Sequence, residues 1–397
     1  MPYVNFKEEN YKLEKQISKR KENNKKIRSQ IKNDKSLISG YSLTGEYSFK
    51  NTKKQLIGIS GVLKEEDFQI INGEDFICAN FFNCKFQNIK FVDCFFIGCN
   101  FKKCSFGGGG IIFENCTFIK EDSIKTPSLN IKDNFSCYFE DCYIYSQFKG
   151  SNLSYALFEK CTFENTNFEL TDMQGVIIKD SDLFKILVCD CGMQNLKTRK
   201  CYISDFEFDD KYMTTFDTKT FFDKLLHRKN DRDEYEGFYM IYQNIAFQYE
   251  QNNLKSNFGE YYYLGKREEH KTLDFLSKIK SYLYWFSCGY GERPIYSIYF
   301  SFAIILIFTF LFLIVGVNID GRIVKYNSII AIETLSFGKF FEEFLNAFSL
   351  STGLFTGVGD EICDPIFESA ILADIEMVLG VICMGIGIGT LTRKIIR

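Results

Sequence analysis

Phenylalanine recurs at positions 81, 86, 91, 96, 101 and 106, an unbroken step of five. An α-helix repeats every 3.6 residues and a strand every two, so five matches neither. It matches a chain that turns a corner every five residues. Two residues before each Phe stands a small or apolar residue: Ala79, Cys84, Ile89, Cys94, Cys99 and Cys104. The register resumes at Cys116/Phe118 and around Cys137 and Cys142. It then runs through Leu153, Phe158, Phe163, Phe168, Met173, Ile178, Leu183, Val188 and Met193. Their partners two places earlier are Ser151, Ala156, Cys161, Thr166, Thr171, Val176, Ser181, Ile186 and Cys191. Four five-residue sides make one roughly square coil, and coils stack at the strand spacing of about 4.8 Å. Residues 79–206 are then expected to form roughly six coils, a rod about 30 Å long.

This register resembles the pentapeptide-repeat family. The resemblance implies a right-handed quadrilateral β-helix with a ladder of Phe over Phe and Cys over Cys inside. The 15 cysteines fall mostly on the register, so they are expected to fill core rather than to pair or bind metal. Cys189-x-Cys191 has no zinc-knuckle spacing. No signal peptide is visible in the lysine-rich residues 1–35, so a reducing cytoplasm is expected around the rod. Gly107–Gly110 and the stretch 119–136 break the period and are read as loops bulging from the rod. No Lys-Ser/Thr follows the glycines, as a phosphate cradle requires. Residues 76–206 hold fifteen Asp/Glu and fourteen Lys/Arg, a net of −1, which argues against an acidic DNA mimic. The net charge of −3 over 397 residues likewise gives no chain-wide basic field, and nucleic acid is not expected as a partner.

The second signal is the segment IYSIYFSFAIILIFTFLFLIVGV at 295–317, 23 residues without a charge. That is enough to cross about 30 Å of hydrocarbon. Tyr282, Trp285, Tyr296 and Tyr299 gather at one end as an interfacial belt would. A second span is expected over 366–391; Asp374 and Glu376 lie in its first half. Intramembrane carboxylates are costly and mark protein- or water-facing positions, so both are candidates for a pore-associated role. Basic residues before the first span (Lys278, Lys280, Arg293) and after the second (Arg393, Lys394, Arg397) place both termini in the cytoplasm.

Between the spans, residues 340–353 (FFEEFLNAFSLSTG) suit a short amphipathic helix. Leu354, Phe355, Thr356, Gly357, Val358, Gly359 and Asp360 follow it. Non-helical backbone at membrane depth is tolerated only where it is buried in protein or lines water. Glycines allow backbone conformations that aim successive carbonyls at one axis. Span, short helix, Gly-x-Gly-Asp, span is an order that resembles the two-transmembrane potassium-channel family, whose filter reads TVGYGD. The resemblance aligns Phe355, Thr356, Gly357, Val358, Gly359 and Asp360 with the filter. It aligns Ser349 and Thr352 with the pore helix, Glu376 with an acidic residue of the second span and Gly380 with a gating hinge. It implies four copies around one axis and monovalent cations such as potassium in the pore, with no other cofactor. Two departures bear on selectivity. Phe355 cannot supply the innermost coordinating hydroxyl, and Val358 replaces the filter tyrosine.

The expected organisation is a basic N-terminal helix (1–36), a lead-in (37–75), the β-helix (76–210), a helical hairpin (211–290) and an α-helical two-span transmembrane pore domain (291–397). Residues 1–35, with eleven Lys/Arg against five Asp/Glu, suit a solvated helix or contact with anionic lipid. The stretch Trp285–Pro294 resembles the junction in bacterial proteins that join pentapeptide repeats to an ion-channel module. Gly289 and Gly291 are read there as a flexible elbow. With 2 His and no nucleophile–base pair, an enzyme is not expected. The leading expectation is a homotetrameric, poorly selective cation channel of the inner membrane. It would be gated through a cytosolic protein or ligand bound to the β-helix. The alternative is a membrane-anchored scaffold that does not conduct.

Overall fold

The computed structural model describes residues 4–120, 134–326, 337–359 and 363–396. The chain divides into two compact units, Met1–Thr272 and Leu273–Arg397.

The first unit is a β-solenoid. Seven short parallel strands stack in one sheet: Asn51–Lys53, Asn80–Phe82, Asn100–Lys102, Tyr138–Glu140, Leu157–Glu159, Ile177–Lys179 and Lys197–Arg199. A second sheet of eight strands forms another side. Register is fixed by the inward residue. Phe81 lies beside Phe101, Phe101 beside Phe139, Phe139 beside Phe158, and Phe158 beside Ile178. The rings stack along that column: Phe81–Phe101 at 5.1 Å, Phe101–Phe139 at 4.7 Å and Phe139–Phe158 at 4.6 Å, with planes within 15° of parallel. A second column runs Phe91, Phe113, Phe148, Phe168. Parallel in-register stacking at strand spacing forces this offset-parallel geometry, which is worth about 0.5–1.5 kcal/mol per pair beyond burial.

The corners are built by a residue class that the Phe register alone does not reveal. Cys78, Asn83, Asn88, Asp93, Gly98 and Lys103 all have positive φ, again five apart. Asn, Asp and Gly tolerate this left-handed conformation best, and they supply most of the corners. The position two after each inward residue is thus where the chain turns.

The solenoid and its N-terminal helix depart from expectation in three places. The solenoid begins before residue 76. Strands Asn51–Lys53 and Leu56–Gly58 already pair with Asn80–Phe82 and Lys85–Val92. The lead-in lacks the Phe step and sends Ile57 into the interior instead. Gly107–Gly110 is not a free loop, since it lies inside the strand Ser105–Glu114 and produces a bulge against its neighbours. Gly109 is required there by close backbone. A Cβ on Gly109 would sit 2.1 Å from the Leu63 carbonyl oxygen, and the Gly109 N–H donates to Asn88 Oδ1 at 2.7 Å. Most of the second interruption, 121–133, lies outside the described residues.

The third correction concerns the N-terminal helix, α1 (Phe6–Asn33). It is not solvated along its length but packs on the solenoid. Leu13 and Ile17 bury against Leu157 and Ile177, while Ile27 and Ile31 bury against Ile77, Ile97 and Phe135. Arg20 Nη1 donates to the Tyr155 carbonyl at 2.9 Å and Asn24 Nδ2 to the Ser136 carbonyl at 3.1 Å. Lys179 pairs with Glu14 at 3.1 Å. Each buried aliphatic side chain stabilises by about 1.5–3 kcal/mol.

The far end of the solenoid is closed by a helical hairpin, α2 (Arg232–Gln251) and α3 (Lys255–Thr272). Phe238, Ile241, Ile245 and Tyr249 join the solenoid core. Buried Tyr249 and Tyr261 stack at 5.1 Å. Their hydroxyls donate to the carbonyls of Thr220 and Phe222 at 2.6 and 2.7 Å. Capping of this kind is what a stack of open coils requires. The hairpin ends at Thr272, and a separate helix α4 (Phe275–Cys288) follows. The expected second arm over 259–286 is thus two helices, broken where Asp274 takes the N-cap position of α4.

The second unit contains α4, α5 (Pro294–Val315), α6 (Phe337–Thr356) and α7 (Ala370–Ile396). Two of its helical segments, Pro294–Val315 and Phe367–Ile395, are long and apolar enough to cross a membrane. A small antiparallel sheet, Val317–Ile319 between Arg322–Val324 and Cys363–Pro365, joins the segment after α5 to the segment before α7. Ile305, Phe308 and Phe312 of α5, Ala347 and Leu350 of α6, and Ala373 and Cys383 of α7 form its core.

Candidate functional site

The residues singled out by sequence lie on α6, in the turn after it and on α7. The helix reaches Thr356 rather than stopping at 353, so Leu354, Phe355 and Thr356 form its last turn. The local chemistry explains the extension. Phe355 is buried on the same face as Ser351 and Leu350, and the Thr356 hydroxyl donates back to the Thr352 carbonyl at 2.8 Å. Thr352 itself donates to the Phe348 carbonyl at 2.8 Å. Ser349 lies on the exposed side of the helix.

After Thr356 the chain leaves the helix through Gly357 and Gly359, with φ of 74° and 81°. The N–H groups of Val358 and Gly359 both donate to the Gly353 carbonyl, at 3.0 and 3.2 Å. Gly357, Val358 and Gly359 are exposed, Val358 to 85%. Val358 is one of several exposed apolar side chains of this unit, with Phe337, Phe367 and Ile371. Asp360 lies outside the described residues.

On α7 the two carboxylates part company. Asp374 is exposed, whereas Glu376 is fully buried. Ser351 Oγ is hydrogen-bonded to Glu376 and also lies 2.9 Å from the Ile305 carbonyl oxygen. One serine therefore ties α6 to both α5 and α7. The family resemblance points to Ser349 and Thr352 and not to Ser351. The signal was there in the helical period, because Ser351 shares a face with Ala347 and Phe355 at steps of four.

The family resemblance makes Gly380 a hinge. The structure gives it a packing reason, since a Cβ there would stand 2.0 Å from the Phe355 carbonyl oxygen. The elbow at Gly289–Gly291 is likewise a built turn. Gly289 caps α4 in the left-handed conformation, Tyr290, Glu292 and Arg293 are buried, and Glu292 pairs with Arg393 of α7 at 3.4 Å.

In the solenoid the register cysteines Cys84, Cys94, Cys99, Cys104, Cys116, Cys137, Cys142, Cys161, Cys191 and Cys201 are buried free thiols. Burial pushes Cys78, Cys191 and Cys201 up to about 12, which suppresses thiolate chemistry. Among the described residues no group of three or more His, Cys, Asp or Glu is placed to hold a metal ion.

Comparison with known proteins bears on the solenoid. Residues 81–123 and 146–183 match family models described as pentapeptide repeats, in nine and eight copies. No curated protein matches the chain. One similar solved structure is a trypsin-treated form of QnrB1, a plasmid-mediated fluoroquinolone resistance protein. It is 16% identical, with 39% of this chain and 78% of that chain covered and a TM-score of 0.19. Another is HetL, a pentapeptide repeat protein involved in heterocyst differentiation regulation from the cyanobacterium Nostoc sp. It is 9% identical, with 42% and 76% covered and a TM-score of 0.18.

Proposed function

We propose that this chain, which belongs to the pentapeptide-repeat proteins, is a tetrameric cation channel of the inner membrane. Its solenoid and both termini lie in the cytoplasm. The observation that carries this reading is the exposed Gly357-Val358-Gly359 turn at the end of a helix packed against two helices apolar enough to cross a membrane. Four copies around an axis would cover Val358 and bring the carbonyls from Thr356 to Gly359 around one path, replacing the hydration shell of a monovalent cation. The C-terminal end of α6 points its negative dipole end toward that path. Phe355, buried against Gly380, holds the turn from behind instead of offering a hydroxyl, so potassium and sodium are poorly distinguished.

The solenoid is the receiving module. Its interior is filled with side chains, so its signal comes from a protein or ligand bound on an outer face, which biases an open/closed equilibrium. Replacing Gly357 by Ala in the full-length protein tests the pore directly. Nothing lies within 4 Å of a Cβ there, so the protomer keeps its packing, but the positive φ is strained by about 1–2 kcal/mol. Cation flux in proteoliposomes is expected to fall. Unchanged flux contradicts the assignment.

One observation favours a second reading. Because α6 absorbs Leu354 to Thr356, only Gly357 to Gly359 remain outside the helix before Asp360. A membrane-anchored scaffold needs no more than that, and it predicts no flux in any variant.

A further inference from the structure

Glu376 is a carboxyl with no exposure, set among α5, α6 and α7 at a depth where a charge is costly. One of its oxygens is bonded to Ser351 Oγ, and the other has no partner among the described residues. Ser351 Oγ also lies 2.9 Å from the Ile305 carbonyl oxygen, which accepts in addition from the Thr309 hydroxyl at 2.7 Å.

A hydroxyl has one proton. If the carboxyl were ionised, Ser351 would face two acceptors and could satisfy one, leaving either two oxygens in bare contact or a buried charge without a donor. If the carboxyl carries a proton, it donates to Ser351 Oγ and Ser351 donates to Ile305. The chain of bonds then closes with a single neutral oxygen unpartnered.

No charged side chain on the surrounding elements changes this count. Residues 294–317, which are α5 and the two residues after it, are uncharged. On α6 the charges are Lys339, Glu342 and Glu343, two or more turns before Ser351. On α7 they are the exposed Asp374 beside it and Arg393 and Lys394 in the last turn; Cys383 lies two turns on. The charges of the small sheet, among them Arg322 and Asp364, belong to segments beyond Gly316, three turns along from Ile305.

We propose that Glu376 is a protonated carboxylic acid and serves as a positioning latch. Through Ser351 it fixes the last turns of α6 to α5 and α7, and so sets the start of the Gly357–Gly359 turn. The link to conduction rests on the channel reading above. The latch itself does not. Deprotonation at alkaline pH breaks the relay and frees the end of α6.

The test is infrared spectroscopy of the full-length protein in lipid vesicles, paired with cation flux across pH. A carbonyl band of a protonated carboxyl is expected at neutral pH. It should be absent in E376Q, shifted in frequency in S351A, and lost on alkaline titration of the wild type. Flux should show an alkaline loss that E376Q removes, since its amide donates to Ser351 but cannot ionise. A wild type without the band at neutral pH, or a band untouched by both substitutions, overturns the latch. If E376Q does not fold, the S351A shift still decides. A band that behaves as expected with no flux in any variant keeps the latch and overturns conduction.

Discussion

The Gly380 Cα faces the Phe355 carbonyl so closely that a methyl group added there would lie 2.0 Å from its oxygen. This contact joins α7 to the last turn of α6 just before Gly357. Gly380→Ala must therefore displace backbone, and overpacking of this kind costs about 1–3 kcal/mol. Its melting temperature in micelles should fall. Gly385→Ala, where nothing lies within 4 Å in the protomer, should leave it unchanged. Equal effects at both positions would mean that Gly380 serves helix bending and not packing.

Removing a ring from a Phe column should be among the most damaging changes in the solenoid. Phe139 stacks on both Phe101 and Phe158. Phe139→Ala leaves a cavity between two coils with little room to collapse, at a cost of about 3–5 kcal/mol. Urea unfolding of the full-length protein, followed by far-UV circular dichroism, measures it.

Much of the solenoid was legible because the five-residue step names both the inward residue and its small companion. Phe81, Phe101 and Phe158 are where the register puts them. What the step could not give was the ends. Coils from Asn51 onward lack the Phe signal, and α1 reads as a solvated basic helix because its Leu13, Ile17, Ile27 and Ile31 are diluted among lysines. The candidate site was legible in order but not in boundary. The sequence places Gly357 and Gly359 after a short helix, yet whether Phe355 lies in that helix depends on Gly380, 25 residues away. Ser351 and Glu376 are likewise brought together only by packing.

The thiols should divide by exposure. Among the fifteen free cysteines, only Cys189 is less than fully buried. An alkylating reagent under native conditions should therefore label Cys189 first, although burial and Asp190 push its thiol upward, so the reaction should quicken at alkaline pH. Mass spectrometry of labelled peptides reads this out. Early labelling of Cys104 or Cys142 would contradict a closed solenoid core.

Acid should loosen the cap of the solenoid through Glu234. Burial raises its pKa, but N–H donors from Arg228, Lys229 and Asn230 outweigh it and hold the carboxyl below its usual range. Its stabilisation is thus present above the unfolded value of about 4.3 and is lost as pH falls through the folded value. The stability difference between wild type and Glu234→Gln should be largest at neutral pH and shrink below about pH 4. A difference that does not change with pH would place the effect in packing alone.

Conduction by the second unit is open to direct measurement. Potassium and sodium flux should be measured side by side in proteoliposomes holding the full-length protein, at both signs of membrane potential. Both ions are expected to move, because Phe355 offers no hydroxyl and Val358 replaces an aromatic residue, and Gly357→Ala is expected to suppress both. Absence of flux for either ion at either potential would contradict the channel and leave the chain an anchored scaffold.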